Sequence, residues 1–166
     1  MKFLKLLVAA VALAALAGCA GGPMLASSPD VLLGRADAVL RGAQGQGSVR
    51  LAVSPEDVKV GQSLSIDVAA NAPGYLYVYQ ISTDGKRLSL LFPNAIDGAN
   101  FLQGAARLPR ANWRIVAGGP PGVGYFLAVV TAQQQDLLAV TARAQEGLVS
   151  VLGAYAAAMA SFRESH

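Results

Sequence analysis

The chain has 166 residues, 54% of them hydrophobic, with 13 basic and 10 acidic side chains, one cysteine and one histidine. The single imidazole is His166 and the single thiol is Cys19, which excludes a histidine-dependent hydrolase triad and a histidine or cysteine zinc site. Two basic residues, Lys2 and Lys5, lie in an apolar leader, and without them 11 basic residues face 10 acidic ones, a balance that leaves no basic stripe and implies no nucleic-acid partner.

Lys2 and Lys5, followed by the unbroken apolar run Leu6 to Ala17, read as an export signal over residues 1–18. The run is shorter than the roughly 20 apolar residues that span a bilayer. It ends in Leu16-Ala17-Gly18-Cys19, which resembles the lipobox of bacterial lipoproteins. The resemblance implies that Cys19 is lipidated and becomes the new N-terminus, anchoring the protein to a membrane through acyl chains worth roughly 0.8 kcal/mol per buried CH₂. Ala20 stands where an aspartate would resemble an inner-membrane retention signal, so the expected location is the outer membrane, facing the periplasm. Residues 19–28 are small, polar and rich in glycine and proline, as a tether would be.

Ser28-Pro29-Asp30 has the composition of a helix start, and Leu32, Leu33, Ala36, Val39 and Leu40 fall on one helical stripe before Gly42. Residues 29–47 are therefore expected to form a short amphipathic helix and a flexible linker, "GAQGQG". From Ser48 the period becomes two. "SVRLAV" is a strand candidate, and "QSLSIDVAA" alternates Leu64, Ile66 and Val68 with Ser63, Ser65 and Asp67. "YLYVYQI" and "LSLLF" flank Asp84-Gly85, a two-residue hairpin signal. "PNAIDGAN" and "PRAN" read as loops, "WRIV" as a short strand, "GGPPG" as a turn and "VGYFLAVVT" as a long buried strand.

About seven short strands at this spacing predict a mainly β domain over 48–144, an antiparallel β-sandwich of immunoglobulin-like type. After "AQQQD" the pattern turns helical again. Leu148, Val151, Leu152, Tyr155, Met159 and Phe162 keep helical spacing in an alanine-rich stretch, which predicts a C-terminal helix over 145–166 packed on the sandwich.

The segments "GYLYVYQISTDGKRLSLLFPN", "RLP" at 107–109 and "GGPPGVGYFLAVVT" at 118–131 together resemble domain-of-unknown-function family 4384, found in bacterial envelope and signalling proteins. The resemblance runs from about Val58 to Val140. It rests on Gly74-Tyr75, Asp84-Gly85, Leu91-Phe92-Pro93-Asn94, Leu108-Pro109 and Pro121-Gly122 in that order. It implies a β-rich accessory module with no established catalytic set.

The residues themselves offer little chemistry. "GGPPGVG" precedes a strand, whereas phosphate-binding glycine loops open a helix. Asn94, Asp97 and Asn100 could supply oxygen ligands to Ca²⁺, but their spacing matches turn residues equally well. Asp67, Asp84, Asp97 and Asp136 could form a carboxylate pair, yet none sits in an apolar context that would raise its pKa. No cofactor or metal is implied. Trp113, close to Arg110 and Arg114 in the sequence, reads either as core or as an exposed contact for sugar or protein. Tyr75, Tyr77 and Tyr79 share one face of their strand while Leu76 and Val78 point to the core. That tyrosine face is expected to be covered by the C-terminal helix, the alternatives being a protein-binding face or a ligand platform. Tyr75, Tyr77, Tyr79 and Trp113 are thus the candidate interaction residues. The function expected is a lipid-anchored, non-enzymatic interaction or assembly module of the cell envelope with an envelope protein as partner. A binding module for cell-wall glycan or peptide and a carboxylate-dependent envelope hydrolase are the rivals.

Overall fold

In the computed structural model, residues 29–43, 47–110 and 112–166 are described. The expected export signal, Cys19 and the expected tether lie outside them. The first element is helix α1 (Pro29–Gly42). It buries Leu32 and Ala36 and half-buries Leu33, Val39 and Leu40, the stripe expected from their spacing.

Ten strands then form two sheets. β1 (Val49–Ser54), β3 (Ser63–Ala70) and β7 (Ala105–Leu108) make the smaller sheet in that spatial order, and β8 (Ile115–Val116) also pairs with β3. The larger sheet has the order β2 (Asp57–Lys59), β10 (Tyr155–Ser165), β9 (Gly122–Thr131), β4 (Gly74–Ile81) and β5 (Leu88–Phe92). β6 (Phe101–Leu102) pairs with β4. All pairs are antiparallel except β2 with β10, which is parallel.

The period-two pattern explains the core. Leu64, Ile66 and Val68 of β3 are 0–4% exposed and face Leu76 and Val78 of β4 and Phe126, Ala128 and Val130 of β9 in one cluster between the sheets. Each such aliphatic side chain contributes roughly 1.5–3 kcal/mol by leaving water. Phe126 and Phe162 stack across β9 and β10 with ring centroids 4.7 Å apart. β4 and β5 are joined by a wider loop than the expected two-residue turn. Ser82 and Arg87 close it through a backbone bond of 3.0 Å, and inside it Gly85, at φ +65°, donates to the Ser82 carbonyl at 2.8 Å.

The expected C-terminal helix is corrected: Tyr155–Ser165 is strand β10, paired with β9 from Tyr155↔Thr131 to Glu164↔Gly122. Alanine favours a helix, but by no more than about 0.7 kcal/mol per residue over ordinary residues, a preference that tertiary context overrides, and in "YAAAMASF" the alanines leave a period of two open as well as 3.6. The open edge of β9 decides between them, because pairing satisfies backbone groups along its whole length. Helix does occur earlier, as α2 (Leu137–Gln145) between β9 and β10. Asp136 caps its start by accepting from the Ala139 backbone N–H at 2.8 Å. Gly147 and Leu148 close its end, their N–H groups donating to the carbonyls of Ala144 and Arg143.

Both helices lie on the outer face of the larger sheet. There Tyr77, Tyr79, Ile81, Leu127 and Val129 form a second apolar cluster with Leu32, Ala36, Val140 and Ala144. Arg35 of α1 donates to the Gly147 carbonyl at 2.7 Å, tying the helices together, and Tyr155 donates to the Val39 carbonyl at 3.0 Å.

Candidate interaction surface

The tyrosine stripe is covered, but by α1 and α2 rather than by a C-terminal helix. Tyr77 is 1% exposed and Tyr79 0%. The Tyr77 hydroxyl accepts from the Gln135 backbone N–H at 2.8 Å, and the Tyr79 hydroxyl donates to the Ser150 carbonyl at 3.4 Å, so both rings are fastened to the segment that carries α2. Burial pushes the Tyr79 phenol well above its ordinary value. Tyr75 is half-buried and meets Phe101 edge to face, with centroids 5.3 Å apart.

Trp113 is half-buried against the inter-sheet core, and its indole N–H donates to Asp97 at 3.2 Å. Arg110 binds the same carboxylate through two donors, reaches the Ala99 carbonyl at 2.6 Å and lies over the Phe92 ring. Its guanidinium, then the Trp113 N–H, hold the Asp97 carboxyl below the usual range. Asn94 accepts from the Ile96 and Asp97 backbones at 3.0 and 2.9 Å. This arrangement fastens the loop after β5. Asp84 is likewise held below the ordinary range by the Ser82 hydroxyl and the Lys86 backbone N–H in the β4–β5 loop. Among the described residues no three histidine, cysteine or acidic side chains stand together as a metal site would need, and no helix is long and apolar enough to cross a membrane.

The sheet face that no described element covers is the outer face of the smaller sheet. Period two puts Arg50 and Ala52 of β1, Asp67 and Ala69 of β3, and Ala105 and Arg107 of β7 on it. The register sets Arg50 beside Ala69, Ala69 beside Ala105, Ala52 beside Asp67, and Asp67 beside Arg107. The alanines leave a floor with long side chains at its borders, a hollow of about 580 Å³. Arg107 donates to the Ser65 hydroxyl at 2.8 Å and stands 3.8 Å from Asp67, both charged groups well exposed. Such a pair is worth roughly 0–1 kcal/mol and is free to exchange partners. Arg50 has no ion pair among the described residues. Sequence reasoning passed over this face. Arg50, Asp67 and Ala69 were visible as the polar half of two alternating strands, whereas the alanine-rich β7 carried no pattern of its own.

Comparison with known proteins bears on the centre of the chain. No curated protein and no solved structure matches it. Residues 57–134, which run from β2 to just beyond β9, carry a domain of the family described as Domain of unknown function (DUF4384).

Proposed function

We propose that this protein is a lipid-anchored, non-enzymatic interaction or assembly module of the bacterial cell envelope. Cys19 would hold it to the outer membrane on the periplasmic side, and the outer face of the smaller sheet would dock a protein partner. The observation that carries this reading is the asymmetry of the two faces. α1 and α2 cover Tyr77 and Tyr79 on the larger sheet, while the hollow bordered by Arg50, Asp67 and Arg107 is left in solvent. The carboxylates support the non-enzymatic side of the reading, since Asp84 and Asp97 are held ionised by fixed donors and Asp136 caps α2. A general acid needs the opposite shift.

The finer fold assignment belongs to the same proposal. We read the sheets as an immunoglobulin-like sandwich in which the first strand serves both layers. β1 pairs with β3 in one sheet, and after Pro55 and Glu56 the chain enters the other as β2, parallel to β10. The order β1-β3-β7 opposite β2-β10-β9-β4-β5 supports that topology. The departure is α2, inserted where a short hairpin would join the last two strands.

A photo-crosslinking side chain placed at Ala69, compared with one at the exposed Leu138, tests the docking face in intact cells. The expected result is a discrete adduct from position 69 that disappears with Arg50→Glu and Arg107→Glu together. Absence of an adduct there, or an adduct indifferent to the arginines, would sink the assignment. Membrane fractionation of Cys19→Ser tests the anchor separately: mature-sized protein still in the membrane fraction would refute lipidation.

A further inference from the structure

The larger sheet ends on one side in an edge that is only partly closed. β2 pairs with β10 from Arg163 to Ser165, and nothing among the described residues pairs with β10 on that side between Tyr155 and Ser161. Hydrogen-bonding direction alternates along an antiparallel strand. The Arg163 backbone N–H donates to Glu56 at 2.7 Å, on the side of β2, while the Ala154 carbonyl accepts from Ala132 at 3.3 Å, on the side of β9. Tyr155, Ala157, Met159 and Ser161 therefore aim their backbone groups at the open edge.

The side chains beside that edge are incompletely covered as well. Ala156, Ala158 and Ala160 share the parity of the core residue Phe162, yet all three are half-buried, whereas Phe126, Ala128 and Val130 on the adjoining strand are 0–7% exposed. Val49 and Leu51, which face them from β1, are half-buried too. A cleft of about 290 Å³ opens where the starts of β1 and β10 diverge, between Ser48, Val49 and Ala154–Ala156. The exposed part of the edge carries none of the charges or prolines that usually block pairing. From Tyr155 to Ser161 there is no charge, no proline and no glycine.

We infer that this edge pairs with the same edge of a second copy of the chain, as a two-fold antiparallel ladder centred on Ala158. Parity allows that register. Ala157 stands opposite the copy's Met159, and Tyr155 opposite the copy's Ser161, as hydrogen-bonded pairs, while Ala158 meets the copy's Ala158 as a non-bonded pair. Each bonded pair sets a large side chain against a small one, and the other face of the junction holds only alanine, so the strands meet without overlap or like charge. Gly153, at φ +74°, bends the chain just before β10. One strand edge buries less than the roughly 800 Å² per partner of a stable complex, so association is weak and concentration-dependent.

Disulfide trapping in the full-length chain carrying Cys19→Ser reads the register directly. A non-bonded antiparallel pair has Cα atoms about 4.5 Å apart, within disulfide range. Ala158→Cys is expected to give a covalent dimer under mild oxidation. Ala156→Cys alone is expected to give none, but to cross-link when mixed with Ala160→Cys. Ala157→Pro removes an edge donor without touching the ladder to β9 and is expected to lower the yield from position 158 roughly tenfold. If that variant fails to fold, the mixing experiment still decides. No dimer from position 158, or equal yields from Ala156→Cys alone and from the mixture, would overturn the inference and leave the edge to a different partner or to none.

Discussion

Tyr79 has its ring under two helices and its hydroxyl on the Ser150 carbonyl. Its ionisation is disfavoured in the folded protein only, since the unfolded chain releases the proton near pH 10. The native state thus binds more protons than the unfolded state above that pH, and stability falls as pH rises. Below pH 10 the group contributes no pH dependence. Tyr79→Phe is expected to flatten the decline of the denaturant midpoint between pH 9 and 11.5; an identical slope in both proteins would show that the phenol is not the group responsible. Close approach sets a second limit. A Cβ at Gly124 would lie 2.5 Å from the Phe162 ring. Since that ring is stacked on Phe126 and cannot step aside, Gly124→Ala should cost about 1–3 kcal/mol by chemical denaturation. Tyrosine parity was legible from sequence, and Leu76 and Val78 do fill the inter-sheet core. What covers the opposite face was not legible, because parity assigns a side and says nothing of the neighbour on it.

At the scale of elements, the two helices differ in how they are held. α2 is capped at both ends by local groups, Asp136 at the start and Gly147 at the finish, and Asp136→Ala is expected to lower stability by about 1 kcal/mol, read as a shifted midpoint with an unchanged denaturant slope. α1 relies on its apolar stripe and on three long-range hydrogen bonds, two from Arg35 to the Glu146 and Gly147 carbonyls and one from Tyr155 to the Val39 carbonyl. Strands with strong alternation, β3 and β4 above all, could be read from their residues. β7 and β10 could not, for one physical reason. Alanine is too small to mark a face and tolerates either backbone, so position beside an unsatisfied strand decides its conformation. The signals that placed α2 were present as an aspartate, nine helix-compatible residues and a glycine, and the longer stripe after them competed for the same assignment.

The whole molecule is larger than the recognisable family segment. Residues 57–134 contain β2 through β9 but neither β1 nor β10. Without those strands β3 and β9 each lose a full-length neighbour, and Phe126 loses the ring it stacks on. A fragment of residues 57–134 is therefore expected to lack a cooperative thermal transition, whereas residues 29–166 retain one. A sharp transition in the shorter fragment would mean that the outer strands are accessory.

The crossing at Pro55 and Glu56 also decides how the domain answers tension. β2 and β10 run parallel, joined by the bonds from Arg163 to Glu56 and from Val60 to Ser165 at 2.7 and 2.9 Å. A pull between the segment before β1 and the segment after β10 draws these strands past one another along their length. The bonds then bear the load together in shear instead of opening one after another as in a zipper. Loaded in that direction, the domain is expected to unfold more slowly than it would if the same bonds opened one at a time.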